Sequence, residues 1–291
     1  MAITPGNQAT ALDPGAFDPE TLDPGEIVQV EAADGRRLKG RLWRGPADAP
    51  LLVAAHGVMS HSLWFHQLAG ALGERGISLL AFDRRGAGML RDDPGEPEDE
   101  QTLIDDLDAW LAFAADLAAE IHLVGFCWGA NYALHYLGKR PDRVRSLILM
   151  APGVVPASTI ALRRSIDDLS PDEALAIPLK LEDFTQGPAL DGFLRPDPLR
   201  LIHTSARFIG IQNRIGRFSA AHLVRLRLPL LAILASIDQI SDNARTREFL
   251  TKARAAPKEI VELPGRHGII FDAPDQTADA CRTWLDRLDQ G

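Results

Sequence analysis

From residue 26 onward, short apolar runs alternate with longer amphipathic stretches, a pattern that predicts strands and helices taking turns along the chain. Ile27-Val28-Gln29-Val30 and Leu38-Lys39-Gly40-Arg41-Leu42-Trp43, on either side of Asp34-Gly35, predict an antiparallel pair. Pro50–Ala55 is an apolar run of the fully buried strand type, and a helix predicted over about Ser62–Arg75 leads from it to the strand-like Ile77–Phe82. A helix over about Glu100–Ala118 then precedes the strand Ile121–Phe126. Further on, the pattern predicts a helix at about Asn131–Gly138, strands at Val144–Met150 and Leu230–Ala235, and a helix at Asn243–Ala253. A strand at Lys258–Leu263 and a helix near Gln276–Leu288 close the series. Such alternation implies a mostly parallel sheet with helices on both faces.

Two segments break the pattern. Residues 1–25 hold Leu12-Asp13-Pro14-Gly15 and Leu22-Asp23-Pro24-Gly25, turn formers in a stretch without Lys or Arg, and are expected to be a flexible tail. Residues 155–228 carry helix-like pieces (Ser158–Leu169, Asp197–Ile215) but no buried-strand pattern. They are expected to form a helical cap over a core of residues 26–154 and 229–291.

Composition narrows the function class. The apolar share of 46% and charged share of 24% are ordinary for a globular protein. There is no apolar run of membrane-spanning length and no basic-then-apolar leader pattern. With only two cysteines, these features lead us to expect a cytoplasmic protein. A formal charge of -9 argues against nucleic acid as a partner. Neither zinc-ligand spacing nor a phosphate-binding glycine loop is present, so no cofactor and no metal are expected.

The chemistry concentrates at strand ends. Gly125-Phe126-Cys127-Trp128-Gly129 follows one strand and precedes a helix, the setting of a nucleophile elbow, here with cysteine at the nucleophile position. Asp238 and His267 follow two later strands, giving the order nucleophile, acid, histidine. In this reading Cys127 attacks as thiolate, favoured by a helix N-terminus and a nearby imidazole. His267 moves the proton and Asp238 orients the ring. The backbone amides of Trp128 and of Val58, just after His56-Gly57, are the expected oxyanion donors. Asp242 is the alternative acid, farther from its strand end, and His56 the alternative histidine, read as part of a structural turn. The other histidines read as surface or packing residues.

These motifs, together with Phe82-Asp83-Arg84-Arg85-Gly86-Ala87-Gly88 and Pro264-Gly265-Arg266-His267-Gly268, make the chain resemble an α/β-hydrolase. It is similar in particular to the monoacylglycerol lipase/lysophospholipase-like group, also grouped with serine aminopeptidases. The resemblance spans most of residues 26–288 and implies the α/β-hydrolase fold. That group uses serine; cysteine elbows occur in dienelactone hydrolases, polyhydroxyalkanoate synthases and Dieckmann cyclases. An acyl group on Cys127 would be a thioester, in near-balanced exchange with carrier-protein or coenzyme A thioesters and reactive toward amines and carbanions. The expected activity is therefore hydrolysis, acyl transfer or cyclisation of a small-molecule ester or thioester, the acyl group free or borne by an acyl carrier protein or coenzyme A. A non-catalytic ligand-binding relative is the second reading. Met59, Phe184, Phe193 and Phe208 are candidates for an apolar acyl pocket. Arg200, Arg207 and Arg214 recur every seven residues, an arrangement suited either to an acidic carrier or to a solvated helix face.

Overall fold

The computed structural model describes residues 22–93, 95–157 and 168–290. Among the described residues are ten strands: β1 Glu26–Glu31, β2 Arg37–Trp43, β3 Leu51–Ala55, β4 Ser78–Phe82, β5 Ile121–Phe126, β6 Ser146–Met150, β7 Ala174–Ala176, β8 His203–Ser205, β9 Leu230–Ala235 and β10 Lys258–Leu263. The helices are α1 His66–Glu74, α2 Glu100–Ala115, α3 Gly129–Leu137, α4 Ala206–Leu223, α5 Asn243–Thr251, α6 Ile269–Asp272 and α7 Pro274–Asp289.

Eight strands form one sheet in the order β1-β2-β4-β3-β5-β6-β9-β10. β2 runs antiparallel to both its neighbours, and from β4 to β10 every adjacent pair is parallel. Every residue of β3, β5, β6 and β9 is buried. Helices cover both faces, which is why these strands read as mostly apolar runs rather than alternating ones. The edge strand β10 is only partly covered. No described helix is long and apolar enough to cross a membrane.

Almost all of the expected tail lies outside the described residues. Its last turn does not: Trp43 Nε1 donates to Asp23 O at 3.2 Å and an Arg41 guanidinium nitrogen to Pro24 O at 2.7 Å, so Asp23-Pro24-Gly25 lies against β2. Most of the helix-like piece Ser158–Leu169 also lies outside the described residues. The helix expected over Asp197–Ile215 instead begins at Ala206 and runs to Leu223. Its start is set by Ser205, whose Oγ accepts from Phe208 N at 3.1 Å, a cap worth about 1 kcal/mol. Residues 203–205 just before it pair with β7 in a small antiparallel ribbon, too short to register as a strand pattern.

Two carboxylates tie this segment to the sheet. Asp197 Oδ2 accepts from His61 Nε2 and from Trp64 Nε1, both at 2.9 Å. His61 Nδ1 accepts from Leu63 N, so Nε2 carries the donated proton. In the opposite direction Glu96, before α2, accepts from Thr204 Oγ1 at 2.6 Å and Ser205 N at 3.1 Å.

The core also encloses neutral imidazoles. Burial pushes His56 well below the ordinary value of 6.5, and pushes His66, His122 and His135 each down to about 4. The unfolded chain therefore takes up protons as pH falls through 6.5 while the folded chain does not until near 4. Stability should drop across that window, by up to about 1.4 kcal/mol per pH unit for each histidine. We expect Tm by calorimetry to fall by roughly 10 °C between pH 7.5 and pH 5; an unchanged Tm would contradict the burial argument.

Candidate active site

Cys127 directly follows β5 with φ 55°, a left-handed backbone that costs a non-glycine residue about 1–2 kcal/mol. The turn is held by its surroundings: Cys127 N donates to Met150 O at 3.2 Å, and Cys127 O accepts from Gly153 N at 2.8 Å and Ala130 N at 3.2 Å. Both flanking glycines are required sterically. A Cβ on Gly125 would lie 2.6 Å from Ala130 Cα, and one on Gly129 would lie 2.0 Å from Ala55 O. The bend thus throws the Cys127 side chain off the sheet end at the start of α3.

His267 and Asp238 arrive from the loops after β10 and β9. The Asp238 carboxylate lies against His267 Nδ1, with its oxygens at 2.8 and 3.0 Å, and both side chains are buried. Asp238 Oδ1 also accepts from Ile240 N and Ser241 N, each at 2.8 Å. These bonds fix the carboxylate and leave a proton on Nδ1, while Nε2 has no oxygen or nitrogen partner. Burial lowers the His267 pKa, but the charges of Cys127 and Asp238 and their hydrogen bonding outweigh it, and the net shift is upward. Asp242, the alternative acid, instead caps α5, accepting from Arg245 N at 3.0 Å.

His56 is part of the wall. Arg84 N donates to its Nε2 at 3.1 Å, so the ring must be neutral with its proton on Nδ1, which donates to Gly57 O at 2.8 Å. Gly57 C=O and Val58 N–H belong to one peptide plane, so the bond that fixes the carbonyl also fixes the direction of the amide. Gly57 sits hard against the cysteine: a Cβ there would be 2.9 Å from Cys127 Cβ and 3.1 Å from Sγ. Among the described residues neither the Val58 nor the Trp128 amide donates a backbone hydrogen bond. The buried Arg84 closes this wall, donating to Val58 O at 2.7 Å with its guanidinium 4.2 Å over the Phe208 ring.

A cavity of about 600 Å³ opens on Cys127, walled by Val58 and Trp128 from the sheet side and by Ile177, Leu179 and Ile209 from the segment between β6 and β9. The four residues expected to line an acyl pocket do not line it. Phe184 is buried edge-on against Trp64 and His267, Phe193 packs on His66 and Phe271, Phe208 lies against Trp128 and Arg84, and Met59 is buried with its carbonyl accepting from Leu201 N. Their apolar character serves packing beneath the cavity. Nor do the three arginines form one row: Arg200 precedes α4, while Arg207 and Arg214 pair with Asp172 and Glu100. Arg84, in the loop after β4, and the α4 residues Ile209, Gln212, Asn213 and Gly216 take part in the site although no sequence motif singles them out; the three- and four-residue spacing of the α4 residues is their one signal.

Residues 47–274 match the serine aminopeptidase family, S33. A monoacylglycerol lipase from Mycolicibacterium smegmatis is 21% identical over 267 residues, 86% of this chain and 93% of that protein. A soluble variant of monoglyceride lipase from Saccharomyces cerevisiae, solved with a substrate analogue, is similar with a TM-score of 0.80 at 20% identity over 94% of this chain and 98% of that one. For Paleococcus ferrophilus monoacylglycerol lipase the TM-score is 0.74 at 19% identity, over 86% and 99%. These likenesses are of fold, and the fold is that of the α/β-hydrolases.

Proposed function

The chain belongs to the serine aminopeptidase S33 family of α/β-hydrolases, and from that premise we propose that it is an ester- or thioester-processing enzyme working through an acyl-cysteine on Cys127. The observation that carries this reading is the strained Cys127 at the end of β5, opening into a cavity with a buried His267–Asp238 pair beside it. The lipases to which the chain is similar make acyl esters the starting substrate class.

The steps follow from the geometry. The Cys127 thiolate forms a bond to the acyl carbon, and the carbonyl π electrons move onto oxygen, where the Val58 and Trp128 amides receive the charge. Collapse of this intermediate expels the alkoxide or thiolate leaving group, which takes a proton from His267 Nε2. In the second half Nε2 accepts a proton from the incoming nucleophile as it attacks the thioester, and Cys127 leaves as thiolate. Asp238 keeps the ring in the tautomer both halves need. A thioester tolerates acceptors other than water, so amines, thiols and carbanions belong to the acceptor class beside hydrolysis. We take residues 155–228 as a cap that closes the cavity and limits access of water.

Intact-protein mass spectrometry after exposure to an activated ester tests the reading. One acyl mass is expected, on the peptide carrying Cys127. Cys281 serves as the internal control, because burial pushes its thiol up to about 12 and keeps it unreactive. An adduct elsewhere, or none with any ester or thioester, would overturn the assignment. His56→Ala probes the oxyanion wall: releasing Gly57 O should lower kcat by about 10- to 100-fold with KM nearly constant, since the Val58 amide acts in the transition state. A change in KM alone would place His56 outside this role.

A further inference from the structure

We propose that the wall of the Cys127 cavity built by α4 recognises an anionic group on the substrate, with Arg217 as the residue that selects it; this rests on the reading of Cys127 as nucleophile. Ile209, Gln212, Asn213, Gly216 and Arg217 recur at the three- and four-residue spacing that places them on one face of a helix, and all five line the cavity. The other side of α4 is anchored: Phe208, Ile211, Ile215 and Ser219 are buried, and Ser219 Oγ bonds Asn131 O at 3.0 Å. The helix therefore presents a fixed, mostly polar face to the space above the nucleophile.

The electrostatics of that space are one-sided. The chain carries 40 acidic against 31 basic residues, yet among the described residues no Asp, Glu or Lys lines the cavity, and Arg217 is the one Arg that does. On the same helix Arg207 and Arg214 are taken up by Asp172 and Glu100, whereas Arg217 makes no ion pair among the described residues. A cation left without an ion pair in an otherwise uncharged wall is answered by a group with acceptor oxygens and a negative charge, which describes a carboxylate or a phosphate. Val154, Ile177 and Leu179 supply an apolar wall alongside. The fitting substrate is an acyl donor with an apolar segment and an anionic group set apart from the scissile carbonyl.

A carboxylate at the far end of the acyl chain and a phosphate on the leaving group share this chemistry, and two substrate pairs separate them. One pair is a nitrophenyl ester of a medium-chain dicarboxylic acid, with its far carboxyl free or methyl-capped. The other is a monoacylglycerol and the corresponding monoacylglycerol phosphate. The full-length enzyme should favour the anionic member of one pair in kcat/KM. That ratio should fall about tenfold in Arg217→Met and further in Arg217→Glu, and it should shrink as salt is raised. Arg227→Met, which removes an exposed cation outside the cavity, should leave the ratio unchanged. The pair whose ratio collapses identifies the source of the anion. Ratios equal in wild type and Arg217→Met for both pairs, with acyl-Cys127 still formed, overturn the anion site alone. Absence of acyl-Cys127 with every substrate overturns the nucleophile assignment and this inference with it.

Discussion

Cys127→Ala is expected to lower kcat/KM by at least about 10⁴-fold and to abolish the covalent acyl adduct, while folding is nearly unaffected. The size follows from what disappears: without sulfur, the remaining groups can stabilise only an uncatalysed attack by water, the residual left when a nucleophile is deleted from a triad. The substitution removes one atom at the cavity floor and keeps Cβ, so the left-handed backbone and its three hydrogen bonds remain. Circular dichroism and steady-state kinetics on the same preparation check both halves of this expectation. Turnover close to wild type would sink the mechanism. Cys127→Ser is the finer comparison. An oxygen ester is less reactive toward amines and thiols than a thioester, so the serine variant should shift product from transfer toward hydrolysis. An unchanged product ratio would mean that the closed cavity, not sulfur, selects the acceptor.

Asp238→Asn should reduce kcat/KM by about 10²–10⁴-fold with little change in KM. The carboxylate accepts from three donors, Ile240 N, Ser241 N and His267 Nδ1. An amide can satisfy the two backbone donors with its oxygen, but its NH₂ then faces Nδ1 and drives the proton to the wrong ring nitrogen. One of the charges that holds the His267 pKa up is lost as well, so the imidazolium should titrate at lower pH. The kcat/KM profile reports this directly: the limb assigned to His267 moves toward acid in the variant. A profile superimposable on wild type would show that Asp238 does not act on His267.

Much of this architecture was legible in sequence because burial on both faces leaves a local mark. β3 and β9 are wholly apolar runs of five and six residues, β5 is apolar but for His122, and their places in the chain came out as expected. The elbow was legible for a related reason: glycines at 125 and 129 answer contacts at 2.6 and 2.0 Å that no side chain could survive. The cavity wall was not. Phe184, Phe193 and Phe208 are among the larger apolar residues of their segment, but residue type does not say whether a ring faces a cavity or the packing below it. Here Trp64, His66 and Trp128 take the rings into the core. Asp197 was equally opaque. Its partners, His61 and Trp64, lie 136 and 133 positions away, a separation across which no spacing rule operates. The start of α4 lies later than expected because a single hydroxyl, Ser205 Oγ, caps the helix there, and Ile202-His203-Thr204 before it lead into the β8 ribbon instead.

The crossed carboxylates, Asp197 reaching down to His61 and Trp64 and Glu96 reaching up to Thr204 and Ser205, set a rule for exchanging parts between relatives. Each half of the molecule supplies one acid and the donors for the other's acid. A chimera that grafts a foreign segment between β6 and β9 would strand Glu96 beneath new residues and leave the His61–Trp64 pocket without its anion. Recombination is then productive only when both sets of contacts travel together, so α4 and the loops beneath it should be inherited as one unit.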